Sequence, residues 1–362
     1  MIYLMPVSWY WIKQRPQFLA KKLSEKIPLT VACLEDYGGK IIDNDSNGKI
    51  TFVSFTRPDF IFFRSVINFW AKRFQLARHL RKYSIIWFTS PNQFLLAKPF
   101  IKPSQFVIYD CMDDILEFYP AGDTREALRK LENALCHRSD LVFATSVILK
   151  QRLIERYQIQ TPLHVINNAL NEVAAEQNNI ELPEEINRLF ADKRFKYLVY
   201  IGTISEWFNF EQVIAALDVH PAVKLIMVGP AECELRSHEQ IIYTGRVDHS
   251  LVSPLMNKAD ALVMPFKLTD LVRAVNPVKA YEYIASGKPV LLTLYEETEQ
   301  FGSFAYLFDS DNKLNEYLSM LSANILHPKR GSGDCKEFAQ NNTWQNRAAS
   351  ITQLIDQYHR VP

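Results

Sequence analysis

At 362 residues, the chain is too long for one ordinary hydrophobic core and favours two domains of about 150–200 residues. Hydrophobic residues make up 48% of it and charged residues 22%, which excludes a disordered chain. The net charge of +1 excludes a protein that binds polyanions with its whole surface. The five cysteines are scattered without a CxxC pair, which favours reduced thiols in the cytoplasm over a disulfide framework or a zinc site.

The N-terminal segment begins with an apolar run but lacks the basic region, the long apolar core and the cleavage site of a signal peptide. We therefore interpret this run as the first β-strand. No window of the sequence approaches the roughly 18 apolar residues that a membrane span requires. We expect a cytoplasmic protein, either free or bound peripherally to the inner face of the cell membrane.

Short apolar runs rich in β-branched and aromatic residues alternate with amphipathic stretches along most of the chain. The predicted strands are 2–5, 29–34, 50–55, 84–89, 106–110, 141–145, 163–166, 197–201, 224–228, 241–244, 261–265 and 290–293. The predicted helices between and after them include 15–26, 124–138, 210–217, 277–286 and 344–358. Alternation of this kind, with nearly continuous apolar strands, predicts α/β domains with doubly wound parallel sheets covered on both faces.

The stretch 167–194 is polar, acidic and poor in strand-forming residues, so it is the best place for a domain connection. We therefore predict two Rossmann-like domains in series. Ligands of doubly wound sheets bind at the carboxyl ends of the strands, so two such domains facing a cleft would hold a ligand there.

The segment 275–293 carries the strongest local pattern. Asn276 is a good N-cap residue, Pro277 suits the first helical position, and Gly287 suits a left-handed C-cap. The start of such a helix offers free N–H groups and a positive dipole end to an anion. Lys279 and Glu282 share one face, which suits a nucleoside diphosphate with its phosphates near Lys279 and its ribose hydroxyls on Glu282. The alternative is an exposed helix pair without a ligand.

The run PVKAYEYIASGKPV resembles the signature of the second domain of GT-B glycosyltransferases. The runs YIGTISEWFNFEQV and TGRVDHSLVSPLMNKADALVMPF resemble the opening strand and the base-packing stretch of that domain. In the first domain, WIKQRPQFLAKKL and VIYDCMDD resemble a bacterial branch associated with teichuronic acid and similar surface polysaccharides. The run NTWQNRA resembles the helix that crosses back at the C-terminus. The order and spacing of these motifs are more specific than any one of them.

This resemblance implies the GT-B fold, with an acceptor-side domain over 1–170, a nucleotide-sugar domain over 171–340 and a helix over 341–362 that crosses back. It implies transfer of a hexose from a nucleoside-diphosphate sugar, UDP-sugars being favoured, to a saccharide or lipid-linked acceptor in bacterial surface polysaccharide synthesis. It requires no cofactor, and we predict transfer without a metal ion. The donor site that it implies consists of Gly202, Thr203, Glu206, Trp207, Arg246, Val247, Arg273, Asn276, Pro277, Val278, Lys279 and Glu282.

Three positions depart from the family pattern. Many retaining members have a glutamate eight residues before the ribose-binding glutamate, where this chain has Ala274. Such members also hold the diphosphate with an arginine and a lysine, where this chain has Thr203 and Phe208. Cationic help would then come from other residues, for which we consider Lys279, Arg273 and Lys267. Whether transfer retains or inverts the anomeric configuration stays open.

An inverting transfer needs a general base. Asp110, Asp113 and Asp114 follow a predicted strand of the first domain, and their mutual repulsion should raise the pKa of at least one of them. Asp113 is the first candidate for the base and Asp114 the second, while Asp110 is a candidate for acceptor binding. The alternative is that these side chains orient a turn and cap a helix.

The loop after the first strand offers aromatic and polar side chains to an acceptor, although it lacks glycine. Trp9 could stack on a sugar ring, Gln14 could hydrogen-bond to it, and Arg15 could pair with a phosphate. Ordinary packing is the alternative for the tryptophans Trp9 and Trp11.

The stretch 57–83 carries seven arginines and lysines against one aspartate, a net charge of +6. Aromatic residues interleave with these charges. A basic, aromatic, amphipathic segment is typical of a helix lying on anionic lipid, and the alternative is a helix packed on its own domain with solvated charges. Nucleic acid is a poor partner because no RNA- or DNA-binding motif accompanies the charge.

Two other readings compete with a transferase. A nucleotide-sugar 2-epimerase shares the fold but needs neither an acceptor site nor a membrane-facing stretch. A catalytically degenerate partner subunit would bind the nucleotide sugar without turnover, which the departures at 203, 208 and 274 allow. The absence of a GxGxxG motif after the first strand argues against a dinucleotide oxidoreductase.

Overall fold

The computed structural model describes residues 1–6, 9, 13–37, 50–55, 64–170 and 180–359. The chain divides into two compact units, one formed by Met1–Asn168 with Trp344–Pro362 and the other by Ala169–Thr343. Each unit is an α/β layer structure built on one parallel sheet.

The first unit contains seven parallel strands in the order β3-β2-β1-β4-β5-β6-β7. The order places β1 between β2 and β4, which is the switch point of a doubly wound sheet. The strands are β1 Ile2–Met5, β2 Leu29–Tyr37, β3 Ile50–Phe55, β4 Ile85–Phe88, β5 Phe106–Cys111, β6 Leu141–Ala144 and β7 Leu163–Val165.

The second unit contains six parallel strands in the order β10-β9-β8-β11-β12-β13, with the switch point between β8 and β11. These strands are β8 Lys196–Ile201, β9 Val223–Val228, β10 Ile241–Gly245, β11 Ala261–Met264, β12 Val290–Thr293 and β13 Tyr306–Phe308. Both sheets confirm the predicted fold class of doubly wound parallel α/β domains.

Helices cover the sheets. They are α1 Arg15–Ser24, α2 Arg64–Leu80, α3 Pro91–Ala97, α4 Asp123–Arg138, α5 Val147–Tyr157, α6 Glu184–Leu189, α7 Phe210–Asp218, α8 Val252–Lys258, α9 Asp270–Arg273, α10 Val278–Ala285, α11 Asp311–Ser322, α12 Ser332–Asn341 and α13 Trp344–His359. In the first unit, α2 packs on α3 and α3 on α4, while α1 packs on α13. The rings of Phe18 and Trp344 stack there with their centroids 5.6 Å apart, which fixes the C-terminal helix on the first unit.

The sheet of the second unit has a hydrophobic core on each face, as the two-residue period of a strand requires. In β8, Tyr197, Val199 and Ile201 point into the core that contains α8 and α10. The intervening Leu198 and Tyr200 point into the core that contains α7 and α11. Burial on both faces explains why this strand is a continuous apolar run in the sequence.

The predicted domain connection 167–194 includes ordered structure. Residues 171–179 lie outside the described part, but α6 follows, and Leu182 and Phe190 on either side of it are buried in the core of the second unit. The helix α6 was not predicted, because the stretch is acidic and has too few apolar residues to show a helical period.

Candidate functional site

Two glycines bring the carboxyl ends of β8 and β9 into close contact. The N–H of Gly202 donates to the carbonyl of Val228 over 2.9 Å. Gly229 has a φ of +143°, and a Cβ atom at this residue would lie 2.0 Å from the carbonyl oxygen of Gly202. No other amino acid fits at Gly229, so this glycine allows the two backbones to approach each other at the carboxyl ends of β8 and β9. Gly202 was predicted as a site residue, whereas Gly229 was missed because a single Gly-Pro pair looks like an ordinary turn.

The segment after Gly202 is held by its own strand. The carbonyl of Thr203 accepts a 2.8 Å hydrogen bond from the hydroxyl of Tyr200. Glu206 is exposed and Trp207 is half-buried, so both side chains remain accessible at the sheet edge. Phe208 is completely buried, with its ring 4.9 Å from that of Tyr200. The residue that replaces the family's lysine is therefore part of the core.

Helix α10 begins one residue later than the sequence predicted. Its N-cap is Pro277, which has no side-chain capping bond, and its first residue is Val278. Asn276 does not cap this helix, since its amide is buried, and its oxygen accepts a 3.1 Å hydrogen bond from Tyr281. The predicted N-cap role of Asn276 is wrong because that buried contact uses its side chain. The left-handed conformation of Gly287 is confirmed by its φ of +70°.

Lys279 and Glu282 lie on one face of α10 and bond to each other. The Nζ–Oε2 distance is 2.5 Å, and both side chains are partly buried, with 29% and 14% of their surface exposed. The two side chains thus pair with each other, as in the alternative, but they are partly buried where the alternative expected an exposed pair.

Tyr283 ties this helix to the end of β8. Its hydroxyl accepts from the N–H of Ile201 at 2.7 Å and donates to the carbonyl of the same residue at 3.3 Å. The side chain is completely buried. Since Ile201 directly precedes Gly202, this anchor holds α10 against the end of β8, from which the glycine turn begins. Sequence reasoning missed Tyr283, although its position one residue after Glu282 places it on the inner face.

A buried carboxylate supports the start of α10. Glu297 is 2% exposed and Asn276 is 1% exposed. The Asn276 amide donates to Oε2 of Glu297 at 3.4 Å. Glu297 follows β12, so this contact joins the segment before α10 to the segment after β12 through buried polar groups. Nothing in the sequence around Glu297 singled it out.

The cationic residues considered for the diphosphate have carboxylate partners. Arg273 lies 3.0 Å from Glu296, and Lys267 lies 2.9 Å from Glu211. Arg246 is exposed just after Gly245, whose φ of +70° gives a sharp turn, and Val247 is half-buried against the core.

In the first unit, Arg15 and Asp110 form a buried bidentate pair. Arg15 donates from Nε and Nη2 to the two oxygens of Asp110 at 3.1 and 2.9 Å, and from Nη1 to the carbonyl of Ile166 at 2.8 Å. Arg15 is 5% exposed and Asp110 is 0% exposed. Burial of this kind favours a role in joining α1, β5 and the end of β7, since a ligand would have to displace these partners.

Asp114 is also held by arginines. It accepts from Arg152 at 2.9 Å and from the two Nη atoms of Arg156 at 2.6 Å each. Burial raises the pKa of its carboxyl, but the hydrogen bonds and charges of Arg156 and Arg152 outweigh burial, so the pKa lies below its usual value. A carboxylate that is paired in this way is a poor base.

Asp113 has the opposite surroundings. Its side chain is exposed, while the surrounding protein and the charges of Asp114 and Asp110 raise the pKa of its carboxyl against the opposing charge of Arg15. Desolvation by the surrounding protein is the largest of these causes, although the residue keeps an exposed surface. The expectation that one of the three carboxyls has a raised pKa is confirmed for Asp113, with desolvation and not repulsion as the main cause.

The two remaining acceptor candidates lie before α1. The ring of Trp9 meets that of Phe52 edge-on, with centroids 5.0 Å apart, so packing accounts for its position. The backbone N–H of Gln14 donates to the side chain of Gln17 at 3.1 Å at the start of α1. Trp11 lies outside the described residues.

Within the described part of the chain, no helix is long and apolar enough to cross a bilayer. The same residues include no group of three or more histidines, cysteines, aspartates and glutamates placed to hold a metal ion.

Comparison with known families covers both units. Residues 18–172 match the model of Glycosyltransferase Family 4, and residues 196–322 match that of Glycosyl transferases group 1. Together with the two doubly wound sheets, these matches define the chain as a glycosyltransferase of the GT-B type. The resemblance drawn from the motifs is confirmed.

A Bacillus subtilis (strain 168) protein, TuaH, named provisionally as a teichuronic acid biosynthesis glycosyltransferase, is 25% identical over 231 residues. The match covers 59% of this chain and 56% of that relative, so the chain spans little more than half of the relative's length. HepE of Anabaena, solved with UDP-glucose, has a TM-score of 0.72 at 14% identity, covering 98% of this chain and 99% of that one. Sucrose-phosphate synthase of Thermosynechococcus elongatus has a TM-score of 0.72 at 13% identity, covering 98% of both chains. These structures share the fold.

Proposed function

We propose that this chain transfers a hexose from a nucleoside-diphosphate sugar, with UDP-sugars favoured, to a saccharide or lipid-linked acceptor in the synthesis of a bacterial surface polysaccharide. The name of the Bacillus relative supports the polysaccharide, and the UDP-glucose bound to HepE supports the donor class.

The observation that carries the donor proposal is the anchor between Tyr283 and Ile201, which sets α10 beside the glycine turn. The helix start would bind the phosphates through its free N–H groups and dipole. Lys279 would turn from Glu282 to the phosphates, and Glu282 would then accept hydrogen bonds from the ribose hydroxyls. The remaining donor contacts would come from the backbone of Gly202 and Thr203, from Glu206 and Trp207 at the sugar, and from Arg246 and Val247 at the base.

For the chemical step, Asp113 is the proposed base. It is the exposed member of the three aspartates, and its raised pKa suits a group that must accept a proton. In an inverting reaction it would take the proton of the attacking acceptor hydroxyl, and in a retaining reaction it would position that hydroxyl. Asp114 would fix the segment after β5 through its two arginines, and the buried Arg15–Asp110 pair would hold the end of β5 itself.

We also propose that transfer needs no metal ion, because the positive charges of α10 and its surroundings would compensate the leaving diphosphate. This proposal predicts that EDTA leaves the rate of transfer unchanged. Loss of activity with EDTA and its recovery with Mg²⁺ or Mn²⁺ would contradict it.

The acceptor proposal includes contact with anionic lipid through α2. Trp70 and Phe74 are one turn apart on this helix and are 59% and 67% exposed. Arg73 lies over the Trp70 ring at 5.1 Å, and Arg78, Arg81 and Lys82 are exposed nearby in the sequence. Exposed aromatic rings among cations suit a headgroup layer. Residues 57–63 of the basic stretch lie outside the described part.

The donor proposal is tested by the thermal stability of the protein with UDP, GDP, ADP, CMP and dTDP. The variant Glu282→Ala is compared with wild type, and Glu316→Ala, which removes another glutamate paired with a lysine three residues away, is the control. We expect one nucleotide to stabilise wild type and the control but not Glu282→Ala. A nucleotide that stabilises all three equally would remove Glu282 from the site, and no stabilisation by any nucleotide would contradict the donor proposal.

A further inference from the structure

The second unit lacks both of the cations by which many related enzymes hold the donor diphosphate. Phe208 lies in the core between the rings of Tyr200 and Phe210, at centroid distances of 4.9 and 4.7 Å. Residue 208 itself therefore supplies no cation. A leaving diphosphate still requires compensation by cations. The chain must supply them from residues that differ from the family pattern.

The loop that follows β9 is fastened to the segment after Gly202. The N–H of Ile204 donates to the carbonyl of Pro230, and the N–H of Glu232 donates back to the carbonyl of Ile204, both over 2.8 Å. The thiol of Cys233 lies 3.7 Å from the same carbonyl. Three contacts therefore hold residues 230–233 against the turn that faces the predicted diphosphate.

Arg236 follows residues 230–233 by three positions. Its carbonyl accepts a 2.7 Å hydrogen bond from the hydroxyl of Tyr243 on β10, so its backbone is fixed from a second side. The side chain is exposed and makes no ion pair or hydrogen bond with the described residues, unlike Lys267, Arg273 and Lys279.

Charged side chains from three segments act on the Cys233 thiol. Burial raises the pKa of the Cys233 thiol, Glu206 adds to the rise, and Arg236 and Lys267 oppose it. Arg236 thus lies within electrostatic range of the thiol that contacts Ile204, as do Lys267 and Glu206, a predicted donor residue. An arginine held by its backbone with an uncommitted guanidinium is suited to bidentate binding of phosphate.

We propose that Arg236 binds the diphosphate of the sugar donor and replaces the cations missing at positions 203 and 208. This inference rests on the proposed function, since it assumes that a nucleoside diphosphate binds at the glycine turn. Lys267 would remain with Glu211 at the rim, and Arg246 at the end of β10 would lie nearer to the base.

The test compares the affinity of a nucleoside diphosphate with that of its nucleoside by isothermal titration calorimetry, using UDP and uridine first. The variants are Arg236→Ala and Arg236→Lys, and Lys193→Ala is the control, because Lys193 is exposed before the amino end of β8 and its loss changes the net charge equally. We expect Arg236→Ala to lower the affinity for UDP about 10- to 100-fold and the affinity for uridine less than about twofold. Arg236→Lys should fall between, and the control should match wild type.

Equal UDP affinities of Arg236→Ala and wild type would overturn the inference while leaving the donor proposal intact. Equal losses of affinity for UDP and for uridine would also overturn the inference, since removal of a phosphate contact should not affect uridine, which has no phosphate. If wild type bound none of UDP, GDP, ADP, CMP and dTDP, the proposed function itself would fail and the role of Arg236 with it. Because only the backbone of Arg236 is used in the fold, its variants should keep the melting temperature of wild type.

Discussion

At the scale of single residues, Asp113 and Asp114 show how surroundings separate two neighbours in the chain. The exposed Asp113 has a raised pKa, and the buried Asp114 has a lowered one beside Arg152 and Arg156. The sequence placed both at the end of a strand and correctly required a carboxyl with a raised pKa. It ranked Asp113 before Asp114 but could not give the physical reason for that order, because the two arginines that hold Asp114 lie 38 and 42 residues away in the chain.

For Asp113 we predict that Asp113→Asn lowers kcat by about 10²- to 10⁴-fold while donor affinity stays unchanged. In wild type the rate should fall as the pH drops through the raised pKa of this carboxyl, above its usual 3.8, because only the ionised form accepts a proton. The variant should lack this limb of the pH profile. Glu155→Gln, an exposed carboxyl on α5, is the control. An unchanged kcat in Asp113→Asn would assign the base elsewhere.

For Asp114 we predict a structural effect. Asp114→Asn should lower the free energy of unfolding at neutral pH by about 1–3 kcal/mol, since Arg152 and Arg156 lose the charge of this buried partner, while Arg156 keeps Glu117 at 3.6 Å. The folded-state pKa of Asp114 is lowered, so its contribution is present above the ordinary value of 3.8 and is lost as the pH falls through the folded-state pKa. The difference between variant and wild type in urea unfolding should therefore shrink in acid. An equally stable variant at neutral pH would contradict this account.

At the scale of elements, the predictability of each helix and strand follows its local signals. The bounds of α10 were predicted to within one residue at each end, because Pro277 and Gly287 mark the two ends of an amphipathic run. The error at Asn276 arose because its amide joins a buried contact with Tyr281 and Glu297, which a local rule cannot foresee. The strand β13 was missed because Tyr306–Phe308 is too short to show a period of its own.

Helix α2 carries the prediction on lipid binding. The protein should co-sediment with vesicles that contain phosphatidylglycerol and not with neutral phosphatidylcholine vesicles, and high salt should weaken binding. Changing both Trp70 and Phe74 to serine should weaken it by at least about tenfold, because two exposed rings no longer enter the lipid. Val219→Ser, which removes an exposed apolar side chain in the second unit, should have no effect. Equal binding of the double variant would show that α2 does not contact the membrane.

At the scale of the whole molecule, the sequence predicted two parallel sheets because strands buried on both faces are continuous apolar runs. The contacts that build the site join residues far apart in the chain, such as Tyr283 with Ile201 and Gly229 with Gly202. Their partners are fixed only when the sheet is assembled, which is why the sequence could propose the motif residues but not the residues that hold their backbone in place.

The central claim is that the chain turns over a nucleotide sugar bound at α10. The most direct test is the release of nucleoside diphosphate from UDP-glucose and related donors by the purified protein without acceptor, with Glu282→Ala in parallel. The account predicts slow release by wild type and a raised KM for the donor in Glu282→Ala. Binding of the nucleotide by wild type with no release from any donor, with or without Mg²⁺, would contradict it and identify a partner subunit that binds without catalysis.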